Sequence, residues 1–183
     1  TFKAMQIAMA ALPGDLASAL LGLAVFPPDT TVPVAAVARY WAHARGPDVD
    51  AAGDLDRLAA ANVLRRDGDT IGFHDLQHDY LLLHAAGLPA LHADLLNAYR
   101  RLLDGGDWWQ LPPDEPYIWD HLVAHLVGAG ERRVAAATVT DPAYLARFAG
   151  EYNLMGQTIS VGIKGNALVA NLPGQPQWDL VPS

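Results

Sequence analysis

The chain has 183 residues, 51% of them hydrophobic and 17% charged, so it can bury a core and does not read as a disordered tail. Its formal net charge is −8, an acidic balance that repels phosphate backbones and argues against a nucleic-acid partner. It has no cysteine, which removes disulfides, thiolate zinc sites and cysteine nucleophiles and fits a cytoplasmic chain. The charge is uneven. Residues 1–146 hold ten Arg/Lys against eighteen Asp/Glu, the whole of the net −8, whereas Arg147, Lys164, Glu151 and Asp179 cancel in residues 147–183. The most apolar stretch, Leu16 to Pro27, is too short to cross a bilayer, so no membrane partner is expected. The first residue is Thr1 and helical spacing begins there, so the chain reads as cut from a longer protein.

Thr1 to Leu12 has helical spacing, with Phe2, Met5, Met9 and Leu12 on one stripe. Pro13-Gly14 breaks it, and Asp15 is placed to cap a second helix from Leu16 to about Val25 that is apolar nearly all round. After Pro27-Pro28, Thr30 or Thr31 is the candidate cap of a third helix, with Pro33 in its first turn and Val34, Val37, Ala38 and Trp41 inward. A fourth helix is predicted from Asp54 to Asn62. The period then changes. Val63 to Phe73 reads as a β-hairpin turning on Asp67-Gly68. Helices followed by a two-stranded hairpin make a winged-helix pattern.

From Asp75 the chain is helical again, with Leu76, Tyr80 and Leu83 as the expected inward stripe. Further helices are predicted over Ala90 to Leu103, Tyr117 to Val127, Glu131 to Ala137 and Pro142 to Phe148. Trp108-Trp109 precedes a Pro loop and reads as packing at a junction. After Phe148 the texture becomes strands: Glu151 to Leu154, Thr158 to Ile163, Ala167 to Leu172 and Gln177 to Pro182. This meander has an apolar face (Ile159, Val161, Leu168 and Leu172) that needs cover from the helices or from another copy, and Trp178 reads as its core. The expected fold class is mainly α with β additions: a winged-helix domain over 1–86, a helical bundle over 87–147 and a short antiparallel β meander over 148–183.

The stretch Phe73-His74-Asp75-Leu76-Gln77-His78-Asp79-Tyr80-Leu81 carries the most information. Opening a helix after a hairpin, it resembles the His-Asp-Leu-Gln motif of the NB-ARC signalling ATPases, in the branch of apoptotic protease-activating factor. Leu23 to Pro27, Val32-Pro33 and Tyr40-Trp41 are similar to the first helices of that family's winged-helix domain. Tyr117 to Leu122, His125 to Gly130 and Thr140 to Leu145 are similar to the helical domain that follows it. The resemblance spans residues 1–146. It implies a regulatory role in which His74 senses nucleotide, contacting the β-phosphate of ADP bound by an upstream nucleotide-binding domain. ADP or ATP would then belong to the parent protein, with no cofactor in this chain. No Gly-x-x-x-x-Gly-Lys-Ser/Thr occurs, so the chain alone is expected to be no enzyme. Phe148 to Tyr152, Leu168, Leu172 to Pro176 and Leu180 to Pro182 resemble instead the lipocalin-like β domain that follows the catalytic domain of penicillin-binding and β-lactamase-type serine hydrolases. The Ser-x-x-Lys nucleophile motif of that family is absent.

Other readings are bland or sharp in turn. His74 and His78 at i, i+4 differ from a zinc-protease H-E-x-x-H by one carboxylate, with no third ligand in view. His121 and His125 repeat the spacing and, joined to His74 and His78, make a conceivable metal site; the preferred reading is an interior His125, a surface His121 and no metal. Replacing His78 is expected to do little to ADP retention beside replacing His74. Arg65-Arg66 is a candidate DNA-contacting wing, but the helix before it carries Asp54 and Asp56, and a solvated hairpin is preferred. A regulatory and interaction module is therefore the leading function, ahead of an accessory region of a serine hydrolase and of a DNA-binding winged helix. Its expected partners are the upstream nucleotide-binding domain, other protein domains and copies of itself.

Overall fold

The computed structural model describes residues 2–180. The chain is mainly helical, with two small antiparallel sheets. Helices α1 (Phe2–Ala11) and α2 (Gly14–Gly22) are parted at Pro13, which takes the N-cap position of α2. Asp15 therefore lies inside the first turn and not at the cap, and stands 3.7 Å from Arg45. A 3-10 turn, Leu23–Val25, carries Leu23, Val25 and Phe26 into the core.

The next segment corrects the predicted helix start. Val32–Pro33 is a short strand, β1, and α3 (Val34–Arg45) begins only after Pro33. Neither Thr30 nor Thr31 caps it. Val32 pairs with Ile71, and the Val34 amide donates to the Asp69 carbonyl at 2.8 Å, so a strand partner far along the chain claims the backbone that local signals assign to a helix. Helix α4 (Ala51–Ala60) starts at Asp50, whose carboxylate accepts the Gly53 amide at 2.9 Å. Strands β2 (Arg65–Asp67) and β3 (Thr70–Gly72) complete a sheet of order β1-β3-β2. Asp67 pairs with Thr70, so the turn residues are Gly68-Asp69, one later than predicted, and Gly68 takes φ +55°.

Helix α5 (Asp75–His84) buries His78, Tyr80 and Leu81. Leu76 and Leu83, the other members of the predicted stripe, are 58% and 67% exposed. The physical reason is His78. Its Nε2 lies 2.9 Å from the Phe26 carbonyl, and this buried hydrogen bond goes with the face that turns inward.

Helices α6 (Leu88–Arg100), α7 (Pro116–Gly128), α8 (Arg132–Val139) and α9 (Pro142–Leu145) follow, with α6 packed on α3 and α7. Trp108 is buried and Trp109 exposed. One apolar cluster runs from Met5 to Tyr144 and includes Trp41, Leu81, Leu95, Tyr99, Ile118 and Leu122.

The tail forms β4 (Gly150–Leu154), β5 (Gln157–Lys164), β6 (Ala167–Asn171) and β7 (Trp178–Leu180), paired antiparallel in chain order. The sheet meets the helices at α9 and at the 3-10 turn Ala146–Phe148, where the Tyr152 hydroxyl donates to the Phe148 carbonyl at 2.9 Å. Val169 and Ala170 are buried. Trp178, predicted as core, is 55% exposed: β7 is a three-residue edge strand, and Trp178 lies outside the cleft that Leu180 shares with Trp119 and Tyr144. Residues 181–183, the end of the predicted last strand, and Thr1 lie outside the described residues.

Candidate functional site

The site builds from the hairpin outward. Strand β3 ends at Gly72, Phe73 is buried, and His74 takes an extended conformation as the N-cap of α5. Its amide donates to Gln77 Oε1 at 2.9 Å, and Gln77 Nε2 donates in turn to the Asn62 carbonyl at 2.9 Å. Gln77 thus ties the start of α5 to the end of α4 and fixes where His74 stands. The imidazole of His74 is exposed and lines two clefts. One, of about 400 Å³, is shared with Thr30, Thr31, Arg65, Asp29 and Asp75. The other, of about 450 Å³, is walled by Met5, Ala8, Asn62 and Leu76.

Arg65 does not stand out as a site residue in the sequence alone, where it and Arg66 read as one solvated pair; in the structure the two differ. Arg66 is bound to Asp56 at 2.8 Å and to the Ala52 carbonyl at 2.7 Å. Arg57 and Arg45 share Asp54 in the same way. Arg65 has no ion-pair partner among the described residues. It lies across Gly72 in the paired strand, where a Cβ would come within 3.1 Å of its guanidinium. The signal was available: a hairpin that sets Arg65 opposite Gly72 puts it two residues from His74. The first amides of α5 add partial positive charge beside these groups. A cation, an imidazole, the Thr31 hydroxyl and a helix N-terminus in one open cleft suit a phosphate oxygen, while Asp29 and Asp75 work against a second negative charge.

The remaining histidines do something else. His78 is buried and committed to the Phe26 carbonyl, so His74 and His78 do not share a face and the zinc-protease pairing fails. The four-histidine site also fails, because His125 belongs to a different network. His125 Nε2 is 2.8 Å from the Tyr117 hydroxyl and its Nδ1 is 2.8 Å from His92 Nδ1 on α6. Burial, with His92 and His121 nearby, pushes the His125 pKa down to about 3; burial also lowers His92. The pair is neutral and locks α6 to α7. Gly128 makes this possible, since a Cβ there would sit 2.5 Å from the His92 ring. His125 is interior and His121 only partly exposed.

A larger cavity, about 670 Å³, is lined by Tyr40, Trp41, Arg45, Asp94 and His84 and shares no residue with the His74 clefts. Among the described residues no helix is long and apolar enough to cross a membrane. Compared with known proteins, the chain matches no family model, and no curated protein sequence matches it.

Proposed function

We propose that this chain is the regulatory and interaction region of a cytoplasmic, nucleotide-switched signalling ATPase of the NB-ARC type, non-catalytic by itself. In this reading His74 contacts the β-phosphate of ADP held by an upstream nucleotide-binding domain and keeps the two domains closed. The observation that carries it is the exposed His74 imidazole at the N-terminus of α5, sharing a cleft with the unpaired Arg65. A histidine whose backbone amide is fixed by Gln77 and whose imidazole is exposed at the head of a helix is within reach of an external acceptor. Leu76 and Leu83 support the same reading, because their exposure on α5 gives a neighbouring domain apolar ground next to His74.

The contact exists only while the domains are closed, so it biases a two-state equilibrium. A charge-assisted hydrogen bond to phosphate contributes roughly 1.5–3 kcal/mol, about a tenfold to hundredfold shift in population. In the longer protein that carries this chain behind its upstream domain, His74→Ala speeds ADP dissociation by that factor and raises basal signalling. An unchanged dissociation rate overturns the proposal. The purified chain alone, lacking a phosphate loop, shows no magnesium-dependent ATP turnover above background.

A further inference from the structure

The register of the tail sheet sorts its side chains cleanly. Tyr152 stands beside Ile159, Val161 beside Ala170, Ala170 beside Trp178, and Ile163 beside Leu168, which in turn stands beside Leu180. All of these share one face. Glu151, Lys164 and Asp179 fall on the other, opposite Ser160, Ala167 and Val169. Most of the apolar face is open: Tyr152 is 48% exposed, Leu154 58%, Ile163 37%, Trp178 55% and Leu180 42%, with Leu168 and Leu180 bordering a cleft walled by Trp119, Tyr144 and Phe148. At ~200 Å² for a large side chain, five residues at about half exposure leave ~500 Å² of apolar surface. That is near the upper end of the patches that monomers carry.

We infer that this face is a self-association surface, on which the same face of a second copy stacks to form a two-sheet sandwich. Three observations select a second copy as the occupant. The first is charge. Residues 1–146 carry the whole net −8, so two copies repel through the helical body, whereas the tail is neutral. The charges of its strands point away from the contact. The second is area. Two such patches together remove ~1,000 Å² from water, the lower bound of a specific interface, so the dimer is weak and concentration-dependent. The third is chemistry. The face offers no charge, its polar groups other than the Tyr152 hydroxyl are confined to Gln157 and the Trp178 indole N–H, and stacked sheets about 10 Å apart interdigitate apolar side chains of this kind. A two-fold contact then sets each patch against itself.

Sedimentation velocity on the chain over a wide concentration range tests this. The wild type is expected to pass from monomer to dimer, and more readily in high salt, which screens the acidic bodies. Trp178→Glu and Leu154→Lys, both at exposed positions, weaken association by more than about tenfold with the thermal unfolding midpoint unchanged. Thr158→Lys, on the opposite face, dimerises like the wild type. A wild type that stays monomeric at every concentration overturns the inference. If hydrogen exchange then shows the face protected, its cover is the chain's own helices. Dimerisation unaffected by Trp178→Glu and Leu154→Lys also overturns it, by placing the contact elsewhere.

Discussion

In the three-stranded sheet, Val32 and Ile71 oppose each other and both are almost fully buried; in the tail sheet, Tyr152 and Ile159 oppose each other and Tyr152 stays half in water. The first sheet has three strands of two or three residues, the second four strands of up to eight. The smaller sheet is the better buried. Strand pairing fixes register in both, but cover decides stability, and cover comes from helices. The short sheet packs on α3 and α4, whereas the long one meets the helices chiefly at α9 and one 3-10 turn.

Substitutions can break this contrast. The largest effect belongs to Phe26, fully buried against the Tyr40 and Tyr117 rings with its carbonyl next to His78. Phe26→Ala is expected to cost about 3–5 kcal/mol in urea unfolding. His78→Ala comes next, at roughly 2–3 kcal/mol, because it leaves the Phe26 carbonyl unpaired and opens a cavity.

A pH series sharpens the contrast further. The folded pKa of His125 is about 3, below the ordinary histidine value of ~6.5, so the unfolded chain takes up a proton that the folded chain refuses. Stability is therefore full above ~6.5 and falls as pH drops toward 3. Between pH 7 and pH 5 the loss from His125 alone is about 2 kcal/mol, and His125→Gln should flatten that slope. The smallest effect belongs to the tail. Tyr152→Ser, which removes one exposed hydrogen bond, should cost no more than about 1 kcal/mol, and residues 148–183 expressed alone should show no cooperative monomeric unfolding transition. A cooperative transition there would erase the distinction between the two sheets.

Much of the fold was legible from local signals. Pro13, Gly46-Pro47 and Pro112-Pro113 mark real breaks, and the switch to period two at Val63 and again after Phe148 marks real strands. What failed depended on distant partners. Strand β1 exists because Ile71 claims Val32 from 39 residues away. The inward face of α5 includes His78 because a carbonyl 52 residues earlier accepts it, so hydropathy alone ranked Leu76 and Leu83 above a histidine. At the candidate site, His74 was found through its motif. Arg65 was not, because its freedom shows only once Arg66 is seen bound to Asp56. The tail's alternation placed Ile159, Val161 and Leu168 on one face, although Leu172 falls beyond the end of β6, and no pattern in a strand says what lies above it.

The central claim is that two histidines one helical turn apart have different jobs, His74 outward toward nucleotide and His78 inward toward Phe26. It is tested most directly by measuring ADP dissociation and unfolding free energy together in the longer protein, for His74→Ala and His78→Ala. The account predicts that His74→Ala speeds ADP release about tenfold or more with unfolding unchanged, and that His78→Ala lowers unfolding free energy by roughly 2–3 kcal/mol. ADP release unaltered by His74→Ala, or a stability loss from it equal to that of His78→Ala, would contradict it.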